Sequence, residues 1–122
     1  MRKILLLSLL ILFSCGKKTN FNWSQYSLDE ALALNNDKII FLDFYNDNWG
    51  GCVLLEAETL SDSKIIEFAN KHLISIKIDA WDHKEGTELF NQYNGFYIPL
   101  LIFLDHQGNE IERVIGPKNV ED

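Results

Sequence analysis

Cysteine and positive charge are both scarce in this chain. Only two of the 122 residues are cysteines, Cys15 and Cys52, and 18 acidic side chains outnumber 11 basic ones. If Cys15 carries a lipid, Cys52 is the remaining thiol and an internal disulfide is impossible. The formal net charge of −7 argues against the basic patch that a nucleic acid or an anionic lipid headgroup requires, so neither is expected as a partner.

Signatures of metal and cofactor sites are also missing. The three histidines, His72, His83 and His106, do not have the spacing that places two ligands on one helix face. Residues 79–85 carry three carboxylates but lack the glycine that a calcium loop needs for its sharp turn, and we interpret them as a solvated loop. No phosphate-cradling glycine loop, nucleophile elbow or Ser/His/Asp arrangement occurs. We therefore expect neither a metal nor a cofactor.

The N-terminus has the pattern of an export signal. Arg2 and Lys3 precede an apolar run at residues 4–13, which is interrupted only by Ser8. This run is too short to span a bilayer as a helix, whereas a basic start followed by a short apolar core is typical of a secretory signal. The sequence predicts a signal peptide at residues 1–14.

The end of this signal resembles a bacterial lipobox, in which a cysteine becomes the lipidated first residue of the mature chain. Residues 12–15 read Leu-Phe-Ser-Cys, so Cys15 is the predicted lipidation site and residues 15–26 a lipidated tether that begins to pack at Trp23. Attachment to the membrane would then come from acyl chains, and the protein would lie in the bacterial cell envelope. An ordinary cleaved signal, or an uncleaved anchor with Cys15 incidental, is the alternative.

Hydrophobic periodicity predicts one α/β domain at residues 27–122. Ser27 and Glu30 match a capping box at the start of a first helix. A near-continuous apolar run at residues 38–45 is typical of a central strand buried on both faces. The predicted helices are 28–34, 52–60, 62–69 and 86–93, and the predicted strands are 38–45, 73–79, 100–104 and 110–115. This order favours a mixed central sheet that ends in an antiparallel hairpin.

One segment resembles the active-site loop of the thioredoxin family. Residues 44–52 read Phe-Tyr-Asn-Asp-Asn-Trp-Gly-Gly-Cys, where family members have Cys-x-x-Cys at a helix start. Cys52 matches the second cysteine, and Trp49 stands in the position of the first. Asp43 and the pair Ile98 and Pro99 also match family positions. Residues 56–79 resemble the thioredoxin-like domains of envelope thiol–disulfide interchange proteins.

The resemblance implies a three-layer α/β sandwich with a mixed central sheet. It also implies a final helix covering one face of the sheet. Only residues 117–122 follow Gly116, and Pro117 reads as the opening turn of that helix. We therefore interpret the C-terminal helix as missing and the chain as a C-terminally truncated fragment.

The resemblance further implies a role for each matched residue. Cys52 would be the resolving thiol, Asp43 would transfer its proton, and a cis Pro99 would leave the backbone at Ile98 free to align an extended peptide. The alternatives are purely structural roles. Cys52 would then be a buried, inert thiol, and Asp43 a buried carboxyl group paired through a lysine or a water molecule. Trp49 and Tyr45, with Phe96 and Tyr97 predicted nearby, would line an apolar contact surface or else a self-packed aromatic cluster.

Two functions remain open on these residues. Dithiol exchange needs an attacking thiolate and a resolving thiol. The indole of Trp49 cannot replace the attacking thiolate. The leading hypothesis is a lipid-anchored protein that binds an envelope protein or peptide through Trp49, Tyr45, Ile98 and Pro99. The alternative is a thiol–disulfide exchange protein that uses Cys52 as a single thiol. A mainly structural protein without a dedicated ligand is a third possibility.

Overall fold

A computed structural model describes residues 19–34 and 36–121. It contains four helices and four strands within those ranges. The helices are α1 (Leu28–Ala33), α2 (Gly50–Glu58), α3 (Ser63–His72) and α4 (Glu85–Gln92), and the strands are β1 (Ile39–Tyr45), β2 (Leu73–Asp79), β3 (Leu100–Leu104) and β4 (Glu110–Ile115). The predicted signal peptide, the lipidation site Cys15 and the start of the tether lie outside the described residues. None of the described helices is long and apolar enough to cross a membrane.

The four strands form one mixed sheet in the order β2-β1-β3-β4. β1 pairs with β2 in parallel and with β3 antiparallel, and β3 and β4 form an antiparallel hairpin. Five consecutive residues of β1 are buried, as the apolar run predicts for a central strand. The mixed sheet with a terminal hairpin is therefore confirmed.

Helices cover both faces of the sheet and complete three layers. One core cluster joins Ala31 of α1 and Phe90 of α4 to one face of β1 and β3. A second cluster joins Leu55 of α2 to Phe41 and Leu101 on the other face, where Ile65 of α3 packs as well. This alternation follows from the two-residue period of a strand, which sends successive side chains to opposite faces.

Side-chain caps define where the helices begin. The Ser27 hydroxyl accepts a hydrogen bond from the Glu30 N–H at 3.2 Å, and the Asp62 carboxylate accepts from the N–H groups of Lys64 and Ile65. These caps satisfy donors that have no partner within the helix. The predicted starts of α1 and α3 are confirmed.

The ends of the described region differ from expectation in two places. Phe21 already belongs to the core and stacks on Trp23 with ring centroids 4.3 Å apart, so packing starts two residues before Trp23. Residues 117–121 form no helix, so the prediction of an opening turn at Pro117 is wrong for these residues. The Lys118 carbonyl accepts a hydrogen bond from the Thr59 hydroxyl, which holds this segment against the end of α2.

Candidate functional site

The end of β1 leads through a tight turn into α2. Within this turn the Asn46 side-chain oxygen accepts from the Asn48 N–H at 3.0 Å, and the Asn46 carbonyl accepts from the Trp49 N–H at 3.1 Å. Trp49 is the N-cap of α2, with an extended backbone. Its carbonyl accepts from the Cys52 N–H at 3.1 Å. Trp49 and Cys52 are therefore one helical turn apart at the start of the helix.

The Cys52 thiol is a buried group. The residue is only 6% exposed and belongs to the core cluster that contains Phe44. Burial raises the pKa of the Cys52 thiol above 9.0, and a hydrogen bond from the Asn46 backbone only partly opposes this. Because the thiolate is the nucleophile in disulfide chemistry, the protonated and covered thiol is poorly prepared to attack a disulfide.

A cis peptide bond brings the β3 side of the sheet to the start of α2. The Ile98-Pro99 bond is cis, as the resemblance implies. A Cβ atom built on Gly51 would lie 3.3 Å from Pro99 Cδ and 3.4 Å from Trp49 Nε1, so Pro99 and the Trp49 indole both lie close to Gly51. The Ile98 side chain is buried in the core. Its backbone N–H and C=O make no hydrogen bond within the described part of the chain, and the residue is only 2% exposed.

Three partly exposed aromatic rings surround this junction. The Trp49 ring contacts Trp81 at a centroid distance of 5.7 Å and Tyr97 at 6.2 Å, with interplanar angles of 70° and 86°. The three side chains are 38%, 42% and 44% exposed, in the order Trp49, Trp81, Tyr97. We call these three residues the aromatic surface. We also expected Tyr45 and Phe96 near Trp49. Among the described residues, neither ring contacts the Trp49 ring.

The sequence analysis missed Trp81, which follows β2 and not β1. Because β1 and β2 are parallel and pair Tyr45 with Asp79, their C-terminal ends meet at one edge of the sheet. The Asp79 carboxylate accepts from the Asn46 side chain at 3.1 Å and from the Trp81 N–H at 2.9 Å. Ala80 is fully buried. The interpretation of residues 79–85 as a solvated loop is therefore wrong at its start, and the parallel pairing was the signal that could have located Trp81.

Asp43 carries a buried carboxyl group in the middle of β1. Its register partner on β2 is Lys77, but the Lys77 ammonium group binds both oxygens of Glu56 at 3.1 and 3.2 Å and lies 4.3 Å from the centroid of the Tyr45 ring. Asp43 Oδ1 makes no hydrogen bond to any described residue. Burial raises the pKa of Asp43 from 3.8 to about 7, although the charge of Lys77 opposes this shift. The carboxyl group can therefore exchange a proton near neutral pH.

The described residues contain no group of three or more His, Cys, Asp or Glu side chains that could hold a metal ion. The site thus consists of one buried thiol, one buried carboxyl group, a cis proline and the aromatic surface. The chemistry that it offers is a proton at Asp43 and an exposed contact area around Trp49.

This fold, with a cis proline facing the start of α2, defines a thioredoxin-like protein. A family model described as a thioredoxin-like domain matches residues 26–122, and the chain belongs to this family. The curated relatives include the thiol:disulfide interchange protein DsbD of Yersinia pestis, 35% identical over 92 residues that make up 73% of this chain. The DsbD protein of Haemophilus influenzae is 34% identical over the same length. The aligned residues span only 15% and 16% of these relatives.

Solved structures of related proteins have the same fold. A putative disulphide-isomerase from Bacteroides thetaiotaomicron superposes with a TM-score of 0.70 at 28% identity, over 84% of this chain and 86% of that one. A DsbH oxidoreductase superposes with a TM-score of 0.69 at 26% identity, over 80% and 77% of the two chains. The chain is thus related to disulfide-exchange proteins.

Proposed function

We propose that this protein is a lipid-anchored member of the thioredoxin-like family in the bacterial cell envelope, and that it binds an extended segment of a protein or peptide without dithiol exchange. The observation that carries this proposal is Trp49 at the start of α2, where the attacking thiol would have to be. The indole supplies no nucleophile, and the one described thiol, Cys52, is buried beneath the helix start.

The geometry around Pro99 supports binding of an extended chain. The backbone N–H and C=O of Ile98 would pair with a partner strand in the way of β-strand addition, once the partner displaces the groups that cover this buried residue. The adjoining aromatic surface offers large, partly exposed rings, and Trp and Tyr dominate the energetics of many interfaces. Backbone pairing would align the partner, and the rings around Trp49 would supply most of the affinity.

Binding can be tested with S-carboxymethylated lysozyme, an unfolded polypeptide that has no free thiol. We expect the full chain in nonionic detergent to bind it, and the Cys52→Ala variant to bind it with the same Kd. Trp49→Ala should weaken binding roughly thirtyfold, because truncation of a central interface tryptophan costs about 2 kcal/mol. Fluorescence anisotropy of the labelled polypeptide gives both values.

The matched control for this experiment is Phe68→Ala, which removes an exposed aromatic ring from α3, outside the aromatic surface. It should leave the Kd unchanged. Equal losses from Phe68→Ala and Trp49→Ala would contradict a dedicated surface.

A single-thiol exchange function is the second candidate. It is favoured by Asp43, which can take up or release a proton near neutral pH, and by the names of the relatives, which describe interchange and isomerisation of disulfides. In this function Cys52 would form a mixed disulfide with a partner. Capture of disulfide-containing polypeptides that depends on Cys52 and is reversed by dithiothreitol would support it over non-covalent binding.

The proposed lipid anchor rests on residues 12–15 and is tested by metabolic labelling. Growth with radiolabelled palmitate in a bacterial host should label the wild-type protein and leave the Cys15→Ser variant unlabelled, because the acyl chains are attached through Cys15. Cys52→Ser is the matched control and should be labelled like the wild type. Unlabelled wild-type protein would show that residues 12–15 are no lipobox.

A further inference from the structure

The segments that carry the aromatic surface are rich in carboxylates. Asp47 lies in the exposed turn before Trp49, and Asp82 and Glu85 follow Trp81 in the loop and at the start of α4. The segment 94–99, which carries Tyr97, contains no charged residue. The carboxylates in these segments are Asp47, Asp79, Asp82 and Glu85, and the other titratable side chains are His83 and Lys84.

One of these carboxylates, Asp82, is engaged at the start of α4, whereas Asp47 and Asp79 act at the site itself. Asp82 accepts hydrogen bonds from the N–H groups of Lys84, Gly86 and Thr87, which lowers its pKa. The charge of Asp47 contributes to the raised pKa values of the Cys52 thiol and the Tyr45 hydroxyl. The Asp79 carboxylate accepts a hydrogen bond from the Trp81 N–H at 2.9 Å, so Asp47 and Asp79 place negative charge in the segments that carry Trp49 and Trp81, whose side chains are 38% and 42% exposed.

Exposed indoles among carboxylates suit a cationic side chain. The face of a tryptophan ring attracts a cation more strongly than the ring face of tyrosine or phenylalanine does. Arginine makes such contacts more often than lysine. The flat guanidinium group can stack on an indole while its edge donates to a carboxylate. A negatively charged partner would face repulsion from Asp47 and Asp79.

We propose that the aromatic surface binds a basic segment of the partner polypeptide, with an arginine side chain packed against Trp49 and Trp81 and paired with the carboxylates around them. This inference rests on the proposed function, since it specifies the chemistry of the bound segment. Backbone pairing at Ile98 is independent of sequence, so the selectivity for positive charge would come from the aromatic surface and its acidic surroundings.

The test compares two labelled eight-residue peptides that differ only at the central residue, which is arginine in one and citrulline in the other. Citrulline keeps the shape of arginine but has no charge. The full chain in nonionic detergent should bind the arginine peptide roughly tenfold more tightly at low salt, and added sodium chloride should reduce this ratio. Fluorescence anisotropy gives both Kd values.

Two variants test whether the aromatic surface and its neighbouring carboxylates cause the preference for arginine. Trp81→Leu should reduce the arginine-to-citrulline ratio, and Asp47→Asn combined with Glu85→Gln should reduce both the ratio and its salt dependence. Both acidic residues are exposed, so the fold does not depend on their charge. Glu67→Gln, an exposed carboxylate on α3, is the matched control and should leave the ratio unchanged.

The outcomes separate this inference from the function on which it rests. Equal affinities for the two peptides, or a preference for citrulline, would overturn the proposed selectivity while binding itself stands. Failure of both peptides and of the unfolded polypeptide to bind would overturn the proposed function and this inference with it.

Discussion

Replacing Trp49 by cysteine should turn this chain into a dithiol protein that forms an internal disulfide with Cys52. The two residues lie one helical turn apart, joined by the hydrogen bond from the Cys52 N–H to the Trp49 carbonyl. A thiol at the N-cap of α2 would have a lowered pKa, because the helix N-terminus stabilises a thiolate. Turbidity caused by insulin reduction should rise from background to a catalytic rate with dithiothreitol as the reductant.

The matched control for Trp49→Cys is the double variant that also carries Cys52→Ser. It should attack disulfides but accumulate as a mixed disulfide, since it lacks the resolving thiol. Mass spectrometry under non-reducing conditions distinguishes the two products. If Trp49→Cys formed no internal disulfide, the assignment of Trp49 and Cys52 to the two active-site positions would be wrong.

The second large effect concerns Asp43 and the dependence of stability on pH. The folded protein raises the pKa of this carboxyl group from 3.8 to about 7, so between these values the unfolded chain binds fewer protons than the native one. Stability should therefore fall as the pH rises from about 4 to about 7 and then level off. One pKa unit corresponds to about 1.4 kcal/mol, so the loss linked to Asp43 is about 4 kcal/mol.

Asp43→Asn removes this proton linkage while keeping the size of the side chain. Urea unfolding should show the variant to be more stable than wild type by about 4 kcal/mol at pH 8, with the difference vanishing near pH 4. Asp37→Asn, at an exposed position, is the control and should follow the wild-type curve. A variant that is less stable than wild type at pH 8 would show that the ionised carboxylate has a stabilising partner.

Most of the secondary structure could be predicted because its causes are local. The apolar run of β1, the alternation of β2 and the caps Ser27 and Asp62 each act within a few residues. The position of the Ile98-Pro99 pair and its cis conformation were both implied by resemblance to the family, and the cis bond is confirmed. The closeness of Pro99 to Gly51 comes from the structure alone.

The composition of the aromatic surface was only partly predictable. Tyr97 was expected there, since it precedes the predicted cis proline, but Trp81 was not. Trp81 is 32 residues from Trp49 in the chain, and only the parallel pairing of β1 with β2 brings their C-terminal ends together. Tyr45 points instead to Lys77. Alternation along a strand predicts which residues share a face, but not which neighbour each side chain meets.

The sequence alone determined that residue 49 is a tryptophan, that Cys15 and Cys52 are the two cysteines, and that acidic side chains prevail. These properties follow from the identity of each residue and do not depend on contacts in the folded protein. Tertiary structure alone decided that Trp81 joins Trp49, and that Lys77 binds Glu56 while Asp43 Oδ1 has no partner among the described residues. Both outcomes depend on groups far apart in the chain, whose distances and desolvation are set only when the sheet and helices pack.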